Sequence, residues 1–451
     1  MVEYSLSKRL YTLLTVFSLA VTLNVVFVTT AECSWDPGSL FRLSGVGRHK
    51  SDWQGRDCRW GVVFCYPPVA RTPRVHNFID TLEEVHLFQS FDYRISDPSA
   101  VAQYFDFIWG GSPRNVARFH EGHPNIIVSY YIPFHRDDGT FKNPDLGKYH
   151  SLSYWRAYHP DWILYKCDRK TPAYEFGKRN MPLDFSNPQV VQWQIQTYGL
   201  PASQHGYDAI AADNINMENL FGGCGSYRNH HWVQRYSGRM HDEQWHADVI
   251  SWVARMQAGL HRLPHRLALI PNFSLGAQLT LGSPLVQQFL NHVDAVLDER
   301  GFTNYGQGYI TGEHWVDAVR FIQLVQGQQK AIYILNQTRS ATKQSQILYS
   351  LSSYLMAKGR LASMYITGNQ DYGRTTLNND YNVPVGSPVG SMYAAQNVYW
   401  RNYSAGLVVV NPSATAYRTV RVSGNYVDMF HHRVARRFTL APHSGKILID
   451  G

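Results

Sequence analysis

From Val85 onward, short apolar runs alternate with longer stretches of helical spacing. The runs Val85–Phe91, Asn125–Pro133, Trp162–Tyr165, Tyr207–Ala212, Arg266–Pro271, Asp294–Leu297, Lys330–Leu335 and Ala362–Thr367 are rich in β-branched and aromatic residues and end at polar or turn positions; each reads as a buried strand. Between them lie helical patterns, the longest over Asp242–Leu263, with apolar residues at Trp245, Val249, Trp252, Val253 and Met256. Others cover Ala100–Phe107, Val286–His292, Glu313–Val325 and Ser340–Lys358, and Ser186-Asn187-Pro188 opens a further one with Pro near its first turn. Strands that alternate with helices imply parallel pairing with helical crossovers. The expected class is α/β, a (β/α)8 TIM barrel over residues 74–385, with one irregular repeat around residues 135–185.

The pattern changes near the C-terminus. Asn397–Tyr399, Ala405–Val410, Tyr417–Val422, Tyr426–Asp428 and Lys446–Ile449 are short apolar runs split by turn sequences such as Asn411-Pro412-Ser413, without helical spacing. Residues 390–451 are therefore expected to form a small antiparallel, sandwich-like β domain. At the other end, Lys8-Arg9 precede an uncharged stretch from Leu10 to Ala31. A spanning helix needs about 20 residues. Residues 1–31 read as a signal peptide or an N-terminal membrane anchor, with residues 10–31 as the tether. Positive charge before the stretch directs the remainder of the chain outward, so the protein is expected to be extracytoplasmic, periplasmic or secreted. Residues 32–73 form an irregular lead-in. The five cysteines include no C-x-x-C pair, which argues against zinc ribbons and thioredoxin chemistry. Export permits disulfides; Cys58 with Cys65 and Cys167 with Cys224 are candidate pairs, and free buried thiols are the alternative.

The formal charge of +8 is scattered, with no dense Lys/Arg run to follow a nucleic acid. Aromatic residues make up 14% of the chain, a bias that suits either stacking on sugars or a large core. No G-x-G-x-x-G or P-loop follows any strand, and no H-E-x-x-H, H-x-H or G-x-S-x-G occurs where it would carry chemistry. Neither a cofactor nor a metal is expected.

Barrel chemistry sits at the C-terminal ends of the strands. The polar residues there are Asp92, His135, Arg136, Asp168, Asp184, Asp213, Asn214, Asn272, Asp298, Glu299, Asn336, Gln337 and Asn369. Carboxylates dominate, and glycoside hydrolysis needs two: one to protonate the leaving oxygen and one to attack the anomeric carbon or activate water. Asp213 is the sharpest candidate, because it follows the apolar run Ala209–Ala212 and precedes a polar, Gly-rich loop; capping a loop is its alternative role. Glu299 is its expected partner, with Asp298 competing for the role and Asp298–Arg300 readable as a structural pair. Asp92, Asp184, Asn214, Asn272, Asn336 and Tyr131 are candidates to bind substrate, although Asp184 could equally cap the helix at Ser186 and Asn at strand ends is ordinary turn chemistry.

Three segments carry a family resemblance: Leu183–Pro188 (LDFSNP), Gly206–Asn214 (GYDAIAADN) and Val296–Gly301 (VLDERG). They resemble the hypothetical glycosyl hydrolases defined by sequence alone and related to polygalactosaminidase-like barrels, in which G-Y-D-G-[IV]-x-x-D-N recurs at the fourth strand. Ala209 replaces the usual Gly. The resemblance covers roughly residues 120–375 and the β tail. It implies a TIM-barrel glycosidase acting on an extracellular polysaccharide or oligosaccharide. A carboxylate after strand four and another after strand six is similar to the retaining clan that includes α-galactosidases, which would make Asp213 the nucleophile and Glu299 or Asp298 the acid/base. That analogy depends on the strand count. A catalytically inactive barrel that binds glycan or scaffolds polysaccharide export is the alternative.

Overall fold

The computed structural model describes residues 85–138, 150–178, 180–276, 279–339, 344–374, 381 and 383–451, with the backbone of 57–58 and 65–66. The chain divides into two units, Met1–Val69 and Ala70–Gly451. In the first, Asp57–Cys58 pairs antiparallel with Cys65–Tyr66, with Cys58 opposite Cys65 in register. The signal or anchor segment and the rest of the lead-in lie outside the described residues. Among the described residues no helix is long and apolar enough to cross a membrane.

The second unit is built on eight parallel strands: β1 (Phe88–Ser90), β2 (Phe107–Trp109), β3 (Ile127–Pro133), β4 (Ala209–Asp213), β5 (Ala268–Pro271), β6 (Ala295–Asp298), β7 (Ala331–Thr338) and β8 (Ala362–Gly368). They are not one continuous ladder. β1 to β5 form one sheet in sequence order and β6 to β8 another. Single parallel bridges, Asn272 to Leu297 and Leu87 to Met364, join the two sheets at both margins. The α/β class therefore holds, with two sheets where the sequence led us to expect a single barrel sheet.

One face of every strand contributes to a shared interior cluster. Ala209, Ala211, Ala268, Ala295 and Ala331 lie in it with Phe88, Phe107, Trp109, Tyr333 and Tyr365. Small side chains on some strands make room for large ones on others, the usual solution for filling such a space; Phe107 stacks on Tyr333 at 4.1 Å. The opposite face packs under α1 (Pro113–Gly122), α2 (Pro188–Gln194), α3 (Glu243–Leu260), α4 (Pro284–Leu290), α5 (Gly312–Gly327) and α6 (Gln344–Ala357). Capping agrees with the sequence: Asp242 accepts from the Trp245 amide to start α3 and Asn187 from the Gln189 amide to start α2.

Two strand assignments need correction. The stretch read as a helix over Ala100–Phe107 holds only a short helical piece, Pro98–Tyr104, and then runs into β2. Three residues are too few to display a period. Conversely, the run Trp162–Tyr165 is no parallel strand: Tyr165–Lys166 pairs antiparallel with Gly223–Arg228, and Asn180–Pro182 with Arg136–Asp138. Both belong to an excursion between β3 and β4 with its own cluster of Trp155, Ile163, Tyr165, Met181, Leu183 and Val190. The two errors cancel, so the strand ending at Asp213 is the fourth by either count. The Cys167–Cys224 disulfide ties this excursion to the loop after β4.

The C-terminal residues form the expected antiparallel sheet, six strands from Pro388 to Asp450. Its first strand, Pro388–Ala395, is mostly exposed. One face of the sheet rests on α6, where Arg401 donates to the carbonyls of Leu355 and Lys358 at 2.8 and 2.7 Å. The other packs Val398, Trp400 and Val409 against Val420 and Leu440 of a two-stranded ribbon.

Candidate active site

Side chains alternate across a strand with a period of two, and that period continues past the last paired residue. On β4, Ala209 and Ala211 face the shared interior, so Asp213 emerges on the same side. By the same parity Ala268 and Ile270 lead to Asn272, Ala295 and Leu297 to Glu299, and Ala331, Tyr333 and Leu335 to Gln337. Four neighbouring strands thus deliver four polar side chains to one place.

Hydrogen bonds join them. The Asn272 amide nitrogen donates to Asp213 Oδ1 at 2.9 Å and to Glu299 Oε2 at 2.7 Å, so the two carboxylate oxygens lie less than about 6 Å apart. Asp213 Oδ2 also accepts from the Tyr131 hydroxyl at 2.6 Å and from the Asn214 amide at 2.7 Å; these three donors fix its orientation. Asn214 adopts a left-handed φ of 58°, which Asn tolerates. Glu299 Oε1 accepts from the Tyr372 hydroxyl and, at 3.3 Å, from Gln337. Gln337 also donates to the Tyr372 oxygen at 3.0 Å.

The two acids are not equivalent. Burial, and then the negative charge of Asp213, push the Glu299 carboxyl above the ordinary glutamate range. Burial and the Glu299 charge also raise the Tyr372 phenol well above its usual value, so it stays a donor. Beside them Phe91 packs on Tyr131 at 5.5 Å and on Tyr372 at 6.1 Å. Trp109 meets Tyr131 edge-on at 6.4 Å. Every one of the eight strand ends thereby contributes to this assembly.

Of the residues singled out from sequence, Asp213, Glu299, Asn272, Asn214, Tyr131 and Gln337 come together. Asp298 does not. It shares the parity of Val296, which packs on the helical side, and its Oδ1 accepts from Ser274 Oγ at 2.5 Å and from the amides of Arg300 and Gly301 at 3.1 and 3.4 Å. It braces the turn after β6, where Gly301 has a φ of 51° and a Cβ would meet the Leu335 carbonyl at 2.2 Å. Asn336 likewise faces outward; its Oδ1 accepts from the Phe302 amide at 2.8 Å. Asp92 is engaged with Ser112 and Asn115 at the start of α1, at 2.6 to 2.9 Å. Asp184 is buried, bonded to Ser186 and Ser226 at 2.6 Å. Asp168 closes its own turn with Lys170 and Thr171. His135 is buried with its pKa lowered to about 3, chiefly by burial and then by Arg136, so it stays neutral. Among the described residues no group of His, Cys, Asp and Glu converges as a metal site would require. Tyr372 has no counterpart among the sequence candidates: it lies in a loop after β8 with no periodic signal.

The family model described as hypothetical glycosyl hydrolase family 15 matches residues 120–407. The chain belongs to that family. The match takes in β3 to β8 and every polar group of the assembly. Solved structures similar to this family 15 chain include Ega3 of Aspergillus fumigatus in complex with galactosamine (11% identity, covering 68% of this chain and 97% of that one, TM-score 0.38). A maltogenic α-amylase, AmyB, from Thermotoga neapolitana is 13% identical over 74% of this chain and 80% of its own, with a TM-score of 0.43. An α-amylase from Anoxybacillus is 11% identical over 83% and 99%, with a TM-score of 0.44. Superpositions this loose transfer neither residues nor substrates. No curated protein matches the chain by sequence.

Proposed function

We propose that the eight parallel strands work as one (β/α)8 barrel and that this family 15 chain is a retaining glycoside hydrolase, with Asp213 as nucleophile and Glu299 as acid/base. The observation that carries this reading is the single Asn272 amide bonded to both carboxylates. In retaining enzymes the two carboxyl groups stand about 5 to 5.5 Å apart; inverting enzymes need about 6.5 to 9.5 Å to admit a water. The raised proton affinity of Glu299 suits the acid, and the orienting donors on Asp213 suit the nucleophile.

In the first step Asp213 Oδ attacks the anomeric carbon, the glycosidic C–O bond breaks, and the Glu299 proton passes to the leaving oxygen. A glycosyl ester on Asp213 and an ionised Glu299 result. Water then attacks the same carbon, Glu299 takes its proton, and Asp213 leaves as the carboxylate. Asn272, bonded to both, holds the pair in register through both steps. Tyr372 donates to Glu299 and favours its charged form, which forms as the proton leaves.

The substrate is proposed to be an extracellular polysaccharide met by an exported or membrane-tethered form of the chain. The Cys167–Cys224 disulfide supports export, since such bonds persist in oxidising compartments. The test is a polysaccharide panel assayed with wild type and Asp213→Asn, with the anomer of the first product read by NMR. Sugar release with retained configuration, lost in the folded variant, is expected. Equal activity in both proteins, or an inverted product, overturns the reading.

A further inference from the structure

A second feature, in the excursion between β3 and β4, is not used by the reaction. Phe176 is 66% exposed and holds a left-handed φ of 50°. For a bulky residue that conformation is an outlier, which persists only where the surroundings impose it. Those surroundings are specific. The Arg136 guanidinium lies 5.3 Å from the centre of the Phe176 ring. Arg136 is itself buried and paired with Glu175 at 2.6 Å. Phe221 meets the same ring edge-on, with centroids 5.5 Å apart.

The two rings come from different loops, Phe176 from the β3–β4 excursion and Phe221 from the loop after Asp213. Both loops are fixed. The Cys167–Cys224 disulfide and the Lys166–Gly223 pairing join them. The Asn219 side chain closes the turn at Phe221 by bonding the Gly223 amide and carbonyl at 2.8 and 2.7 Å. The support of the platform is anchored to the strand that carries Asp213: Pro133 pairs with Asp213, the Phe134 amide donates to the Asp213 carbonyl at 3.0 Å, and Arg136 comes two residues later.

We propose that Phe176, supported by Arg136 and Phe221, is a stacking subsite for a pyranose ring of the polysaccharide away from the bond that is cut. An aromatic face with a cation behind it and open space before it presents a flat apolar surface to sugar C–H groups. The strained backbone aims that face outward. The substrate class assigned to this subsite rests on the glycosidase reading above.

The experiment combines binding and turnover. Asp213→Asn protein is run through native gels containing soluble starch, galactan, polygalacturonate or chitosan. Retardation in at least one gel is expected, abolished by adding Phe176→Ala and restored by Phe176→Trp. On the retarding polymer, Phe176→Ala in the active chain lowers the ratio of kcat/KM for polymer to kcat/KM for its disaccharide about tenfold. Tyr417→Ala, an exposed aromatic of the C-terminal domain, is the control and leaves both readouts unchanged. Retardation in no gel, or retardation and a kcat/KM ratio indifferent to Phe176, overturns the subsite. If wild type cleaves nothing yet retardation depends on Phe176, the catalytic reading falls and the subsite stands.

Discussion

The ends of β6 and β7 each carry two adjacent polar residues, Asp298-Glu299 and Asn336-Gln337, and the pleat splits both pairs. Glu299 and Gln337 turn inward and share bonds with Tyr372. Asp298 and Asn336 turn outward and hold backbone amides of the β6–β7 loop, Arg300 and Phe302 among them. The side chains are chemically alike, one residue apart, and raised in proton affinity alike in the two acids, since burial also pushes Asp298 upward. What separates them is parity. An acid that accepts from amides of its own loop is part of the scaffold; one that meets a second acid through a shared donor can do chemistry.

The largest expected effect breaks this contrast at its inward side. Glu299→Gln should lower kcat/KM on unactivated sugars by about a hundredfold to ten-thousandfold, and kcat/KM far less on a dinitrophenyl glycoside, whose leaving group needs no proton in the first step. A similar loss on both substrates would remove Glu299 from the acid role. Next comes the outward side. Asp298→Ala strands the Arg300 and Gly301 amides and should cost about 1 to 3 kcal/mol of stability, with activity per folded molecule kept; denaturant melts and active-site titration check both. If activity collapses while melting is unchanged, the comparison is wrong.

The two raised acids also give a pH dependence. A carboxyl whose folded pKa is raised contributes stability that is complete below its unfolded value and is lost as pH rises through the folded one. Wild-type stability should therefore decline as pH rises out of the ordinary carboxylate range, and Asp298→Asn should flatten part of that decline in denaturation curves taken across pH. The smallest effect is a refinement. Tyr372→Phe removes a donor that favours charged Glu299, so the alkaline limb of kcat/KM should move to higher pH, with a severalfold drop at the optimum. An acid-ward move would show that the hydroxyl does not act through Glu299.

Much of this was legible in the chain. The alternation of strands and helices and five of the six main helices, all but α1, come from period and capping, while Asp213 falls at the fourth strand through two errors that cancel. The choice between Asp298 and Glu299 was legible too, had the period of two been carried from Ala295 and Leu297 past the strand end; the same count selects Gln337 over Asn336. Other features had no local signal. β2 is three residues long, and the antiparallel pieces at Tyr165–Lys166 and Asn180–Pro182 are shorter than any pattern can show. Their pairing is decided by residues far away in sequence. Tyr372 reaches Glu299 from a loop whose position depends on the whole strand array.

β3 and β4 pair directly with each other, although 75 residues separate Pro133 from Ala209. The excursion thus leaves and re-enters the scaffold at one seam, and its own small sheets and cluster do not set the register of any parallel strand. Descendants of this sequence could lengthen, shorten or replace the part of that insert before α2 while Asp213, Asn272 and Glu299 stay in place. On the proposed function, divergence in the sugar chains accepted should therefore concentrate in this one segment, and grafting it between members of the family is the natural test.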